Sequence, residues 1–242
     1  MKRKNFKHWG LFIALQFITL SLFAQGPNNT GTYYQSANGL KGKALKTAMF
    51  NIIKTHEELS YKGLWIAFRT TDMREDGKVW DMYSCTTNYR FGTDQAGSYK
   101  KEGDVYNREH SFPKSWFNDA KPMYTDLVHL VPTDGKVNGM RSHYPFGETD
   151  GGKYKSNKGF SKLGSCTYPG YTGIVFEPND MYKGDFARIY FYMATAYEDQ
   201  IANWNAREFA PIASYDSYKP YKDWQMNMLM EWSKKDPVSQ KE

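Results

Sequence analysis

The sequence predicts an α+β fold, and three observations carry that reading. Apolar residues recur at helical spacing over residues 40–59 and again in two later segments, 179–201 and 221–235. Between them lie short apolar runs separated by polar, Gly-rich stretches, the pattern of short strands and loops. One part of that middle region, residues 105–141, reads as strand, loop, strand and helix in immediate succession.

The N-terminus carries Lys2, Arg3, Lys4 and Lys7, then an apolar run over residues 11–23 and a small residue, Ala24. A basic start, a short apolar stretch and a small terminal residue predict a secretory signal peptide over residues 1–24, too short for a stable membrane span. The rest, residues 25–242, is expected to be one domain of a secreted or periplasmic protein with no membrane attachment. The whole chain of 242 residues has a net charge of +6, but four of those charges sit in residues 1–24, which hold no acidic residue, leaving +2. Any nucleic-acid binding must therefore use a local patch, since no strong global field remains. Two cysteines, Cys85 and Cys166, could close a loop of about 80 residues in an oxidising compartment, or stay as two thiols.

Residues 25–39 are an irregular lead-in, followed by an amphipathic helix over 40–59 with Leu40, Ala44, Leu45, Ala48, Met49, Ile52 and Ile53 on one face. Residues 64–68 suit helix or strand. The turn Asp76-Gly77-Lys78 leads into an alternating strand over 79–83, and residues 86–104 form a loop. A short strand begins at Val105 and ends near Glu109-His110. Residues 127–131 form a second strand, closed by Pro132, and Asp134 caps a short helix through Val137, Asn138 and Arg141. Residues 147–173, rich in Gly, Lys and Ser, are expected to be a long surface loop. The aromatic stripes of the two later helices face the core rather than forming base-stacking platforms.

The chemistry concentrates in residues 107–113 and 125–142. Phosphodiester hydrolysis needs an activated water and neutralisation of the phosphoryl oxygens. His110 is the natural general base, because an unperturbed imidazole is largely neutral near pH 7. Glu109 and Asn138 offer the oxygen ligands that Mg²⁺ prefers. Arg141 lies about one helical turn beyond Asn138, within reach of the same phosphate. Adjacent residues of a regular strand face opposite ways, so Glu109 and His110 share a site only where the strand ends or bends.

The segments Arg108 to Ser115 (Arg-Glu-His-x-x-Pro-x-Ser), Asp126 to Asn138 (Asp-Leu-x-His-Leu-x-Pro-x-Asp-Gly-x-Val-Asn) and Arg141 to Gly147 (Arg-Ser-x-x-Pro-Phe-Gly) resemble the endonuclease I family of secreted and periplasmic bacterial nucleases. The resemblance implies a ββα-metal (His-Me finger) core with flanking helices. It makes His110 the general base, Glu109 and Asn138 ligands of one Mg²⁺, with Mn²⁺ or Ca²⁺ able to substitute in binding, and Asp126 and His129 supporting or structural residues. The implied substrates are DNA, and also RNA, cut with little sequence preference to leave 5′-phosphates by a monomeric enzyme. Val128 stands where many relatives carry a second histidine, and the sequence ends before a C-terminal segment common in them, which predicts a shortened form.

A catalytically inactive relative that binds polyanions or a protein partner is the alternative; it would need none of Glu109, His110, Asn138 and Arg141. A zinc hydrolase built on His110, His129 and His143 lacks any short histidine spacing.

Overall fold

The computed structural model describes residues 31–239 and 241–242, so the expected signal peptide lies outside the described residues. Residues up to 38 form a unit of their own, in which the described part carries one 3-10 turn, Gln35–Ala37. Residues 39–242 form the second unit, which carries the remaining elements.

The first helix, α1 (Gly42–Ile53), stops short of the expected 59, and His56 instead turns its ring toward Asp126 and Tyr197. Residues 64–68 resolve as helix, α2 (Leu64–Thr71), burying Leu64 and Phe68. The strand expected over 79–83 does not form. Asp81 bends this segment, because its carboxylate accepts the backbone N–H groups of Tyr83 (2.8 Å) and Ser84 (3.2 Å), an alternative to a strand ladder.

Strand β1 (Tyr106–His110) pairs antiparallel with β2 (Leu130–Asp134), in a register that sets Tyr106 opposite Asp134 and His110 opposite Leu130. The second strand starts three residues later than expected, because Asp126 caps a 3-10 turn over Leu127–His129 by accepting from Val128 N (3.0 Å). It also runs through Pro132 rather than ending there. Ser111 N donates to His129 O and Gly135 N to Val105 O, so the ladder bonds fall on the odd positions of the first strand. Pro132, opposite Arg108, then needs no N–H. The chain enters α3 (Gly135–Arg141) directly, with Asp134 Oδ1 accepting from Val137 N at 2.8 Å as the N-cap.

Residues 147–173 are not one loop. They contribute β3 (Tyr154–Lys155) and β4 (Lys162–Ser165), and with β5 (Ile174–Glu177) these make a three-stranded antiparallel sheet. Gly164 lets the preceding loop lie on that sheet, since a Cβ there would collide with Thr149 Oγ1 and Gly152 N.

The core is built on α4 (Lys183–Ala196), which buries Phe186, Tyr190 and Met193 and packs along α5 (Asp223–Lys235) through Trp224, Met228, Leu229 and Trp232. Phe112 packs at 4.9 Å against Trp116, at 5.0 Å against Tyr190 and at 5.6 Å against Phe209, ring centre to ring centre. Such pairs each add about 0.5–1.5 kcal/mol beyond the area they bury. The core thus grips residues 111–117, the segment that leaves the first strand. With five helices and two small sheets among the described residues, the fold is α+β, and none of those helices is long and apolar enough to cross a membrane. Cys85, exposed, and Cys166, half-buried, are free thiols.

Candidate active site

Glu109 and His110 occupy the last two positions of β1, and both border one cavity of about 400 Å³ that Asn138 and Arg141 of α3 also line. Alternation still separates the two side chains within the wall. Glu109 turns toward the helical side and His110 toward Tyr61, Tyr124 and His129. They meet at one opening because the strand ends there.

Glu109 is 4% exposed, and Tyr83 Oη (2.9 Å) and Arg141 Nη1 (2.8 Å) both donate to its Oε1. Oε2 takes no hydrogen bond among the described residues and is not among the buried unpartnered atoms, so it is the oxygen left to the cavity. Burial raises the carboxyl pKa to about 6 against the pull of Arg141 and Tyr83.

Arg141, 1% exposed, also donates through Nη1 to His110 O (3.0 Å) and through Nη2 to Ser111 O (2.7 Å), and its guanidinium lies over the Phe146 ring. Both terminal nitrogens are therefore engaged by the protein. Rather than extending beside Asn138 toward a shared phosphate, Arg141 folds back under the end of the strand. The Asn138 side chain, by contrast, makes no hydrogen bond among the described residues and is only half-buried.

The two histidines differ in one atom. His110 Nε2 lies 3.0 Å from Tyr124 O, and His129 Nε2 2.6 Å from Met123 O, so in each ring Nε2 carries the proton and Nδ1 the lone pair. His129 Nδ1 is buried without a partner; His110 Nδ1 has no partner either but is not buried. Burial, with His129 beside it, pushes His110 down to about 3, and burial lowers His129 as well. The open lone pair of a neutral ring thus belongs to His110. Asp126 sits apart from the cavity, its Oδ2 accepting Tyr192 Oη (2.8 Å) and Tyr197 Oη (2.6 Å) from the α4 end of the core. Val128 is exposed and lines a different, larger groove.

The donor set suits a hard divalent cation. Glu109 Oε2 and the Asn138 amide oxygen are two unpartnered oxygens on one cavity, leaving the other positions to water. A zinc centre finds no support: His143 pairs with Glu208 at 3.3 Å, and no group of three His, Cys, Asp or Glu side chains gathers to hold a metal among the described residues. Tyr83, Tyr61 and the Tyr124 carbonyl were invisible to motif reading, since they reach the site from distant segments. Arg108 lay inside the motif but carried no spacing argument.

The model of the Endonuclease I family matches residues 41–242. The chain is 35% identical over 218 residues to an extracellular ribonuclease of Bacillus amyloliquefaciens, covering 88% of this chain and 69% of that protein. It is 36% identical over 220 residues to an extracellular ribonuclease of Bacillus subtilis (strain 168), with the same coverage of 88% and 69%. A shorter match, 31% identical over 79 residues, spans 32% of this chain and 30% of Endonuclease-1 of Buchnera aphidicola subsp. Baizongia pistaciae. A family match across nearly all of the described chain, together with two relatives more than a third identical over most of its length, makes this chain a nuclease of the endonuclease I family.

Proposed function

We propose that the protein is a secreted, Mg²⁺-dependent endonuclease that hydrolyses phosphodiester bonds of DNA and RNA with little sequence preference and leaves 5′-phosphates. The observation that carries this reading is the His110 ring, whose Nε2 is fixed on Tyr124 O while Nδ1 stays open to the cavity. The first two strands and α3 would then be the ββα core, and the sequence of residues 1–24, with two relatives named as extracellular ribonucleases, supports secretion.

In this mechanism His110 Nδ1 takes a proton from a water in the cavity. The oxygen of that water forms a bond to phosphorus, the bond from phosphorus to the 3′ oxygen breaks, and the 3′ oxygen leaves with a proton from solvent. Glu109 Oε2 and Asn138 would hold the cation. When bound, Mg²⁺ supplies Lewis-acid neutralisation of the phosphoryl and departing oxygens. Arg141 keeps Glu109 oriented and its charge compensated, a positioning role, while His129 and Asp126 hold the walls. The 2′-hydroxyl takes no part, so RNA and DNA are cut alike.

Plasmid nicking and RNA cleavage with Mg²⁺, with EDTA controls, test this. His110→Ala is expected to lower kcat about 10²- to 10⁴-fold, and RNA fragments are expected to end in 5′-phosphate and 3′-hydroxyl. Undiminished cutting by H110A removes the base, and 2′,3′-cyclic phosphate ends would mean the 2′-hydroxyl, not water, attacks.

A further inference from the structure

Besides His110, four side chains able to carry positive charge border the catalytic cavity: Arg108, Lys114, Arg141 and His143. Three have a carboxylate close by. Arg141 bonds Glu109, Lys114 Nζ lies 2.5 Å from Asp119, and His143 lies 3.3 Å from Glu208. Arg108 has none among the described residues, although it is half-buried on the wall of a site built for a polyanion.

Its guanidinium is nevertheless held with care. The central carbon lies 3.5 Å from the Tyr61 ring centre and 4.3 Å from that of Trp65, and Nη1 donates to Tyr61 O at 2.6 Å. Nε is buried without a partner, whereas Nη2 has no hydrogen bond and is not buried. A half-desolvated cation with stacked faces, one anchored nitrogen and one free nitrogen is preorganised for an anion that the protein does not itself provide.

Position on the strand says which anion. Arg108 and His110 are two residues apart on β1, so they share a face, and both lie against Tyr61, whose ring stacks on His110 at 6.2 Å. Two strand residues span about 6.6 Å, the scale of one nucleotide step and well beyond the separation of oxygens within one phosphate. We propose that Arg108, through Nη2, holds the backbone phosphate next to the one that is cut. The faces of Tyr61 and Trp65 that a base would stack on are taken by the guanidinium. This subsite therefore grips backbone without reading sequence. The proposal rests on the nuclease reading above.

The test compares wild type, R108Q and R108K for cleavage kinetics. Equilibrium binding of a short fluorescein-labelled oligodeoxynucleotide is measured across a salt series in the H110A background. Wild-type cutting and its loss in H110A report on the nuclease reading alone, before any Arg108 result is read. R108Q is expected to weaken binding about ten- to a hundred-fold, equally for different sequences, to raise KM, and to flatten the salt dependence by about 0.7–0.9. R108K, which keeps the charge but not the flat, forked geometry, should retain the salt slope and bind several-fold more weakly than wild type. A purely structural arginine would lower the melting temperature of R108Q and leave the salt slope unchanged, which overturns the proposal. So does a loss confined to kcat, or R108K binding indistinguishable from wild type, the latter also deciding the matter should R108Q fail to fold.

Discussion

At the residue scale, the site depends on groups that never touch substrate. Tyr83 lies far from the motif in sequence, yet its hydroxyl and Arg141 share one oxygen of Glu109 and so direct the other toward the cavity. Partners that orient a ligand carboxylate typically carry about 10- to 100-fold in metal affinity or activity. Tyr83→Phe is therefore expected to raise the Mg²⁺ concentration for half-maximal cleavage by about tenfold while the protein stays folded. A Mg²⁺ titration of nicking rate checks this, and an unchanged midpoint would show that Arg141 alone orients Glu109. The same scale separates the two buried histidines. Their sequence settings, one at a strand end and one in an apolar run, do not reveal which Nδ1 is open, because that depends on burial by Tyr61, Tyr124 and Phe117, which arrive from elsewhere in the chain.

At the element scale, Asp134 is the hinge between strand and helix. One oxygen caps α3 at Val137 N, and the other accepts Tyr89 Oη (2.5 Å) and Gly103 N (2.7 Å), tying the loop over residues 86–104 to the same point. Asp134→Ala removes a cap and leaves buried donors unmatched, so a loss of at least about 2 kcal/mol is expected from a urea melt. A loss below about 0.5 kcal/mol would show that the cap is dispensable. This helix start was legible in the sequence, as were α5 and the first strand, because their signals are local: a capping carboxylate, helical spacing, and a run ending in the motif. The sheet β3–β5 was not. Its strands are two to four residues long and drawn partly from Lys, Gly and Ser, so pairing across the sheet, rather than strand propensity, sets their conformation. Residues 79–83 erred the other way. Val79, Met82 and Tyr83 are buried, but so are Asp81 and Ser84, so burial does not alternate, and Asp81 takes the backbone N–H groups that a ladder would use. Within the site, Glu109, His110 and Asn138 could be named as candidates from their residue types and the family resemblance, spacing alone being too common a pattern, while the fate of the Arg141 guanidinium required the carbonyls of His110 and Ser111 to be placed in space.

At the scale of the whole molecule, one buried charge works against the fold. Asp185, on the central helix, is 2% exposed, and neither carboxylate oxygen has a hydrogen-bond partner; burial, with Glu242 and Asp236 nearby, outweighs the pull of the Arg188 guanidinium 3.9 Å away and raises its pKa from 3.8 to about 6. An acid whose folded pKa lies above its unfolded one binds its proton more tightly when folded. Stability from this group is thus greatest below 3.8, declines as pH rises through the window up to about 6, and stays reduced above it. Asp185→Asn is expected to raise the melting temperature above pH 7 and to lose that advantage below pH 4, as thermal melts across pH would show; a gain independent of pH would assign the effect to packing. The arginine beneath the end of β1 has the opposite sense. Because its guanidinium joins the end of α3 to the carboxylate of Glu109 and to two successive carbonyls of the strand exit, helix and strand cannot part without dismantling the site. Heat should therefore find no state that is folded but inactive: the midpoint of thermal inactivation is expected to coincide with that of global melting, and activity that fades several degrees earlier would show that the site frays on its own.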